Sequence, residues 1–220
     1  MKNFRVSLIL LVALASLLST AAFAEIPLTF GARIGYSIPT GSLVKDYSLS
    51  KEMSGALPIQ LEVLYRITPQ IHAGAYFSYG PGFAGSDFSQ LTAGQSASLS
   101  QIRYGVEGQY HFATDPDAMD PWGGITLGME SAHASTSADS AGNSSSVAAS
   151  GFMFGLEGGV SWMVREALRV GPYLGLAIGS YGSESVTQTQ GGASSSSSQD
   201  ITETAIHTWI TLGVAGTFSL

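Results

Sequence analysis

The chain has 220 residues, with 27 Gly, no Cys, 9 Lys+Arg against 16 Asp+Glu, and only 11% charged residues. That length fits one domain of moderate size. The lack of cysteine excludes a disulfide scaffold, a thiol nucleophile, thiolate metal sites and a cysteine-anchored lipoprotein, and a formal net charge of −7 argues against nucleic acid, whose phosphates call for clustered Lys and Arg.

Residues 1–24 read as a secretory signal. Lys2 and Arg5 precede the apolar run Val6 to Leu18, and Ala22-Phe23-Ala24 places small residues where a signal peptidase reads them. The run is shorter than the ~20 apolar residues of a spanning helix. Its removal leaves residues 25–220 as one domain with a formal charge of −9.

From there the chain alternates with period two, the side-chain period of a strand. In the first run Leu28, Phe30, Ala32, Ile34, Tyr36 and Ile38 oppose Thr29, Gly31, Arg33, Gly35 and Ser37. The second sets Leu57, Ile59, Leu61, Val63, Tyr65 and Ile67 against Gln60, Glu62 and Arg66. The third carries Ile71, Ala73, Ala75, Phe77 and Tyr79 opposite His72, Gly74, Tyr76 and Ser78. The fourth has Ile102, Tyr104, Val106, Tyr110 and Phe112 opposite Arg103, Glu107, Gln109 and His111. A weaker fifth sets Ile125, Leu127 and Met129 against Thr126, Gly128 and Glu130. The sixth places Phe152, Phe154, Leu156, Val160 and Trp162 opposite Gly155, Glu157, Gly159 and Ser161, and the seventh Leu168, Val170, Leu174, Leu176 and Ile178 opposite Arg169, Gly171, Tyr173 and Gly175. The eighth has Ile206, Ile210, Leu212, Val214, Phe218 and Leu220 opposite His207, Trp209, Thr211 and Thr217.

Eight runs, most of ten residues or more, match the ~9–11 residues with which a tilted strand crosses a membrane. Short connectors (Thr68-Pro69, 113–120, 164–166) alternate with long Ser- and Gly-rich ones (39–55, 80–99, 131–150, 180–203). That is the pattern of an outer-membrane barrel, with turns in the periplasm and loops outside. The composition of the two faces separates this from a soluble periplasmic barrel. The polar face is mostly Gly, Ser, Thr and Ala, a poor solvated surface but a good narrow interior. The apolar face ends in aromatic residues, with Tyr36, Tyr79 and Phe152 on the loop side and Tyr65, Tyr110, Phe112, Trp122, Trp162 and Phe218 on the turn side. The expected fold is all-β, an eight-stranded antiparallel up-and-down transmembrane β-barrel. Pro172 falls inside the seventh run and predicts a bulge there.

The opening Gly-Ala-Arg-Ile-Gly-Tyr-Ser-Ile-Pro-Thr-Gly at 31–41 and the closing strand Thr208 to Leu220 make residues 25–220 resemble the small outer-membrane β-barrel proteins of the OmpA/OmpX type. The resemblance implies a last strand read by the barrel-assembly machinery. Leu212, Val214, Phe218 and Leu220 keep the alternation that this requires, while Gly216 and a non-aromatic terminus depart from it. It also implies contact with outer-membrane lipids and lipopolysaccharide. It implies no one activity, since such barrels include structural proteins, adhesins, channels and lipid-modifying enzymes.

The inward face carries Arg33, Arg66, Arg103 and Arg169 with Glu62, Glu107, Glu130 and Glu157, four of each sign. An eight-stranded barrel is just wide enough for side chains to fill it, and buried charges must pair. The expected site is therefore a lumen ion-pair network that plugs the barrel, in which neutralising Glu107 leaves an arginine unpaired. No metal or other cofactor is expected. His72, His111 and His207 also point inward, without zinc-ligand spacing. His207 with a Ser and a Glu would be needed for a lipid-acyl hydrolase, yet no Gly-x-Ser-x-Gly accompanies it. Asp115, Asp117 and Asp120 share one turn that lacks the other ligands and the Gly of a calcium loop. The last three long loops carry Asp87, Asp139, Glu184, Asp200 and Glu203 without Lys or Arg. Their Ser runs predict solvated, mobile segments, and Phe83, Phe88 and Leu91 add an apolar patch to the first of them. These features point to a non-catalytic structural or surface-interaction barrel. The alternatives are a narrow porin or carrier for small hydrophobic molecules, and a lipid-modifying enzyme.

Overall fold

The computed structural model describes residues 27–45, 47–86, 96–113, 119–136, 142–191 and 193–220. The expected signal segment at 1–24 lies outside them, as do Asp87, Phe88, Leu91, Asp115, Asp117 and Asp139. In chain order the elements are β1 (Leu28–Val44), β2 (Tyr47–Ser48), the short helix α1 (Leu49–Glu52), β3 (Met53–Ala56), β4 (Ile59–Arg66), β5 (Ile71–Ala84), β6 (Ala97–His111), β7 (Asp120–Thr136), β8 (Ser144–Arg165), β9 (Leu168–Gln190), β10 (Ala193–Asp200) and β11 (Ile206–Ser219).

Each predicted run forms a strand. Antiparallel pairing runs β1–β4–β5–β6–β7–β8–β9–β11 and returns to β1, closing a ring of eight. The seam joins the two ends of the chain, with Thr29 opposite Ser219 and Gly41 opposite His207. Closure leaves no edge in the ring, the condition for a sheet in hydrocarbon.

The faces divide as the alternation predicts. Tyr104, Val106 and Leu212 are 51%, 58% and 66% exposed, while Arg103 and Glu107 are 7% and 4% exposed. Ile34, Leu61, Phe77, Leu127, Leu156 and Leu174 continue the outward apolar belt. A soluble barrel would reverse both faces, so this geometry excludes it. Inward glycines make the lumen wide enough for large polar groups. A Cβ at Gly31 would collide with the Glu62 carboxylate, and one at Gly128 would stand 2.7 Å from the Tyr76 hydroxyl.

Four details differ from the sequence expectations. Trp122, expected in the outer girdle, is buried in the lumen. It has the opposite parity to the outward Ile125, Leu127 and Met129 of the same strand. Pro172 makes no bulge. It faces outward opposite Val214, and the offset with β8 is the same at Gly159–Tyr173 and Trp162–Val170. The two register shifts between β8 and β9 lie instead at Ser150/Gly151, where β9 carries the extra residue Gly182, and at Met163/Arg165. Third, the Ser-rich segments expected to be mobile are paired strands. β7 and β8 continue to Ser135–Ser146, and β10 zips Ser194–Ser198 onto Ser185–Thr189 of β9, with hydroxyl bonds Thr187–Ser196 and Thr189–Ser194 of 2.9 Å each. β8 and β9 have 22 and 23 residues, about twice a membrane crossing, so their loop-side halves stand outside the membrane. Fourth, the first long loop turns inward. α1 and β3 put Leu49 and Met53 against Ala56, Leu99, Met153, Ala177 and Trp209, which closes the outer mouth with an apolar cluster.

The outward belt makes a testable demand. Val106→Lys should cost ~2–4 kcal/mol of stability in lipid, and Val106→Thr clearly less. Urea-unfolding midpoints in vesicles measure both, with folded barrel scored by its shifted gel mobility before boiling.

Candidate functional site: the charged lumen

Below the apolar mouth the lumen is filled by two separate charged nodes rather than one network. The upper node centres on Glu130 of β7, which is 2% exposed. Its carboxylate accepts from Arg103 Nε at 2.8 Å, from Trp209 Nε1 at 3.0 Å and from the Tyr181 hydroxyl, and it meets His207 Nε2 at 3.1 Å. Four donors saturate its lone pairs, which is what a buried carboxylate needs. The rings of Tyr181 and His207 stack at 4.2 Å, and the Arg103 guanidinium lies 5.1 Å from the Trp209 ring.

The lower node centres on Arg33 of β1. Its guanidinium pairs with Glu62 at 2.6 Å, with Glu107 at 3.4 Å and with Glu157. The rings of Trp122 and Tyr173 lie 5.0 and 5.6 Å from it, as cation–π partners. Three carboxylates thus share one guanidinium. Amide donors relieve the excess: Gln109 Nε2 gives to Glu107 at 2.9 Å and to Glu62 at 3.4 Å, and Gln60 Nε2 reaches both at 3.4 Å.

The other two arginines of the expected network sit at the periplasmic end. Arg66 donates to the Leu220 carbonyl oxygen at 3.0 Å. Arg169 pairs with Asp120 at 3.6 Å, and Asp120 also holds His111 Nδ1 at 2.7 Å. Asp120 was legible only as a turn residue, because the turn hides that it opens β7 with inward parity. Tyr181, Trp209 and Tyr173 share that parity rule, which is the signal that finds them as carboxylate and guanidinium partners.

Between the two nodes and beside the lower one the lumen holds voids of about 30 and 10 Å³, room for a water or two and no more. His207 Nε2 is committed to Glu130, and Nδ1 is buried with no hydrogen bond. Among the described residues the histidine that meets a serine is His133, 3.0 Å from the Ser131 hydroxyl. That pair stands on the extension outside the membrane.

The family model of the autotransporter β-domain matches residues 58–219. Among solved structures, a major outer membrane protein from Thermus thermophilus aligns with a TM-score of 0.61 at 10% identity, over 88% of this chain and 99% of that one. Neisserial surface protein A (NspA) aligns with a TM-score of 0.50 at 14% identity, over 90% and 100%. Identities this low show the fold alone. A search of curated proteins finds no sequence match. The closed ring, its outward apolar belt and the family match place the protein in the outer membrane. The chain belongs to the autotransporter β-domain family.

Proposed function

We propose that this barrel is a non-catalytic structural or surface-interaction protein whose lumen is plugged by its own side chains. The observation that carries the reading is the filled interior. The two charged nodes and the mouth cluster leave voids of about 30 and 10 Å³ between the wider ends, too little for a continuous water column. Embedded among outer-membrane lipids and lipopolysaccharide, the barrel presents β10 and the loop-side halves of β7, β8 and β9 to the surroundings. β10 is exposed along its whole length, and Lys45 ties the base of this region to Glu203 at 3.2 Å. Glu184, Asp200 and Glu203 give the surface an acidic character suited to a neutral or cationic partner rather than to phosphates. The alternating strand β11 is the segment the assembly machinery would read.

One observation favours a second reading, capture of a small apolar molecule. A cleft of about 250 Å³ opens at the outer mouth, lined by Leu43, Leu49, Met53, Leu99, Val147 and Ala149. The buried Trp209 and Met153 belong to the cluster at its base, so it is a pocket and not a passage.

In planar bilayers the protein should show no steady open-channel conductance; large, stable single-channel steps would overturn the plug. Arg33→Met leaves three buried carboxylates without their cation and should cost ~3–5 kcal/mol by urea midpoint. Glu107→Gln should cost less than ~1 kcal/mol, because Arg33 keeps Glu62 and Glu157 and loses an excess carboxylate. This reverses the expectation that neutralising Glu107 leaves an arginine unpaired. Filling the mouth cleft by Ala149→Phe should abolish enhancement of N-phenyl-naphthylamine fluorescence if that cleft takes apolar molecules; a parent protein that gives no enhancement rules the second reading out.

A further inference from the structure

The periplasmic end of the barrel holds a vestibule of about 290 Å³ that the plug closes from above. Its wall comes from the turn-side ends of six strands: Thr29 of β1, Arg66 of β4, His72 of β5, His111 of β6, Asp120 of β7 and Arg169 of β9. Thr217 and Ser219 of β11 complete it. Two arginines and two imidazoles therefore face one space to which, among the described residues, Asp120 alone brings a carboxylate side chain. The imidazoles of His72 and His111 lie 4.2 Å apart, centroid to centroid.

The unusual feature is the number of idle nitrogens. Six buried side-chain polar atoms among the described residues have no hydrogen-bond partner, and four of them border this cavity. They are Arg66 Nε, both ring nitrogens of His72, and His111 Nε2. The Pro69 carbonyl lies beside His72 without full hydrogen-bond geometry. Buried polar groups are otherwise almost always satisfied, and each exception calls for a water, an ion or a role. Here the four converge on one cavity: Arg66 Nε–H is a donor, a neutral His72 donates through one of its two nitrogens, and His111, whose Nδ1–H serves Asp120, donates from Nε2 only as the imidazolium. Arginine guanidinium is the side chain best matched to a planar or tetrahedral oxyanion.

We propose that the vestibule binds a small phosphate-class oxyanion from the periplasm, held between Arg66 and Arg169 with one His72 nitrogen donating from the wall. Asp120 holds Arg169 and His111 in place and competes with the anion for Arg169. The lining groups face the barrel axis, away from the lipid belt, so the source is a free anion and not a phospholipid headgroup. About 290 Å³ admits such an anion with several waters.

Isothermal titration of the full folded barrel in a zwitterionic detergent, with inorganic phosphate, tests the assignment. The expected result is saturable one-site binding that weakens at least tenfold in Arg66→Gln and in Arg169→Gln. Asp120→Asn should bind phosphate more tightly than the parent, an effect that a merely structural loss would not produce. Gel mobility before and after boiling reports that each variant is folded, and Arg169→Lys, which keeps the charge, should recover part of the affinity. Absence of saturable binding to the parent, or unchanged affinity in both arginine variants, overturns the site. Competition by short-chain phosphatidylglycerol at the same concentration overturns the free-anion source.

Discussion

Hydrocarbon offers no partner for a peptide group, and the rest of this structure follows from that constraint. Every N–H and C=O within the membrane must find another strand, so the sheet has to close on itself. Closure with eight strands fixes a narrow bore. The alternation of the chain then puts one half of the side chains in lipid and the other half in that bore. Outward positions become Ile, Leu, Val and aromatic residues, and inward ones must be polar, compact or paired.

The bore in turn dictates the electrostatics. Charges there are cut off from bulk water, and each needs a dense set of partners to persist. Glu130 and Arg33 meet that need in opposite ways. Glu130 is one anion whose four donors come from β6, β9 and β11, reaching across to β7. Arg33 is one cation among three carboxylates, with two glutamines and two aromatic rings to spread the load. Glycine is what makes either node possible, since Gly31 leaves the space that Glu62 occupies, and Gly179 leaves that of His207.

Period two was enough to read the strand count and the closure, and to put Arg103 and Glu107 on the inward face, though not the inward Asp120. Arg103 and Glu107 in one run, and Tyr104 and Val106 between them, could not share a face. Which charges meet was not legible, because partners depend on how far neighbouring strands are staggered, and parity carries no information on stagger. Arg33 meets Glu62, Glu107 and Glu157 from three other strands, whereas Arg66 and Arg169 end at the rim. Trp122 was misread because an aromatic near a strand end fits a girdle, although its parity already pointed inward. The serine tracts of β10 carry no hydrophobic period at all. Their pairing with β9 is a hairpin in which Gln190 meets Ala193 across the Gly-Gly dipeptide at 191–192, so the signal lies in that dipeptide and not in the serine tract. Pro172 shows the reverse case, a residue with a strong local meaning that an outward-facing ladder position absorbs.

The seam between β1 and β11 has a consequence for how such a molecule is made. Thr29 and Ser219, bonded at 3.2 Å, are 190 residues apart in the chain. Until β11 docks, the first strand and β9 each keep a raw flank of peptide groups, and nothing local can cover them. The chain therefore cannot finish insertion piecemeal. Its final strand, 14 residues long, acts as a latch, and whatever shelters those two flanks during the wait decides whether the cylinder shuts on itself or on a neighbour.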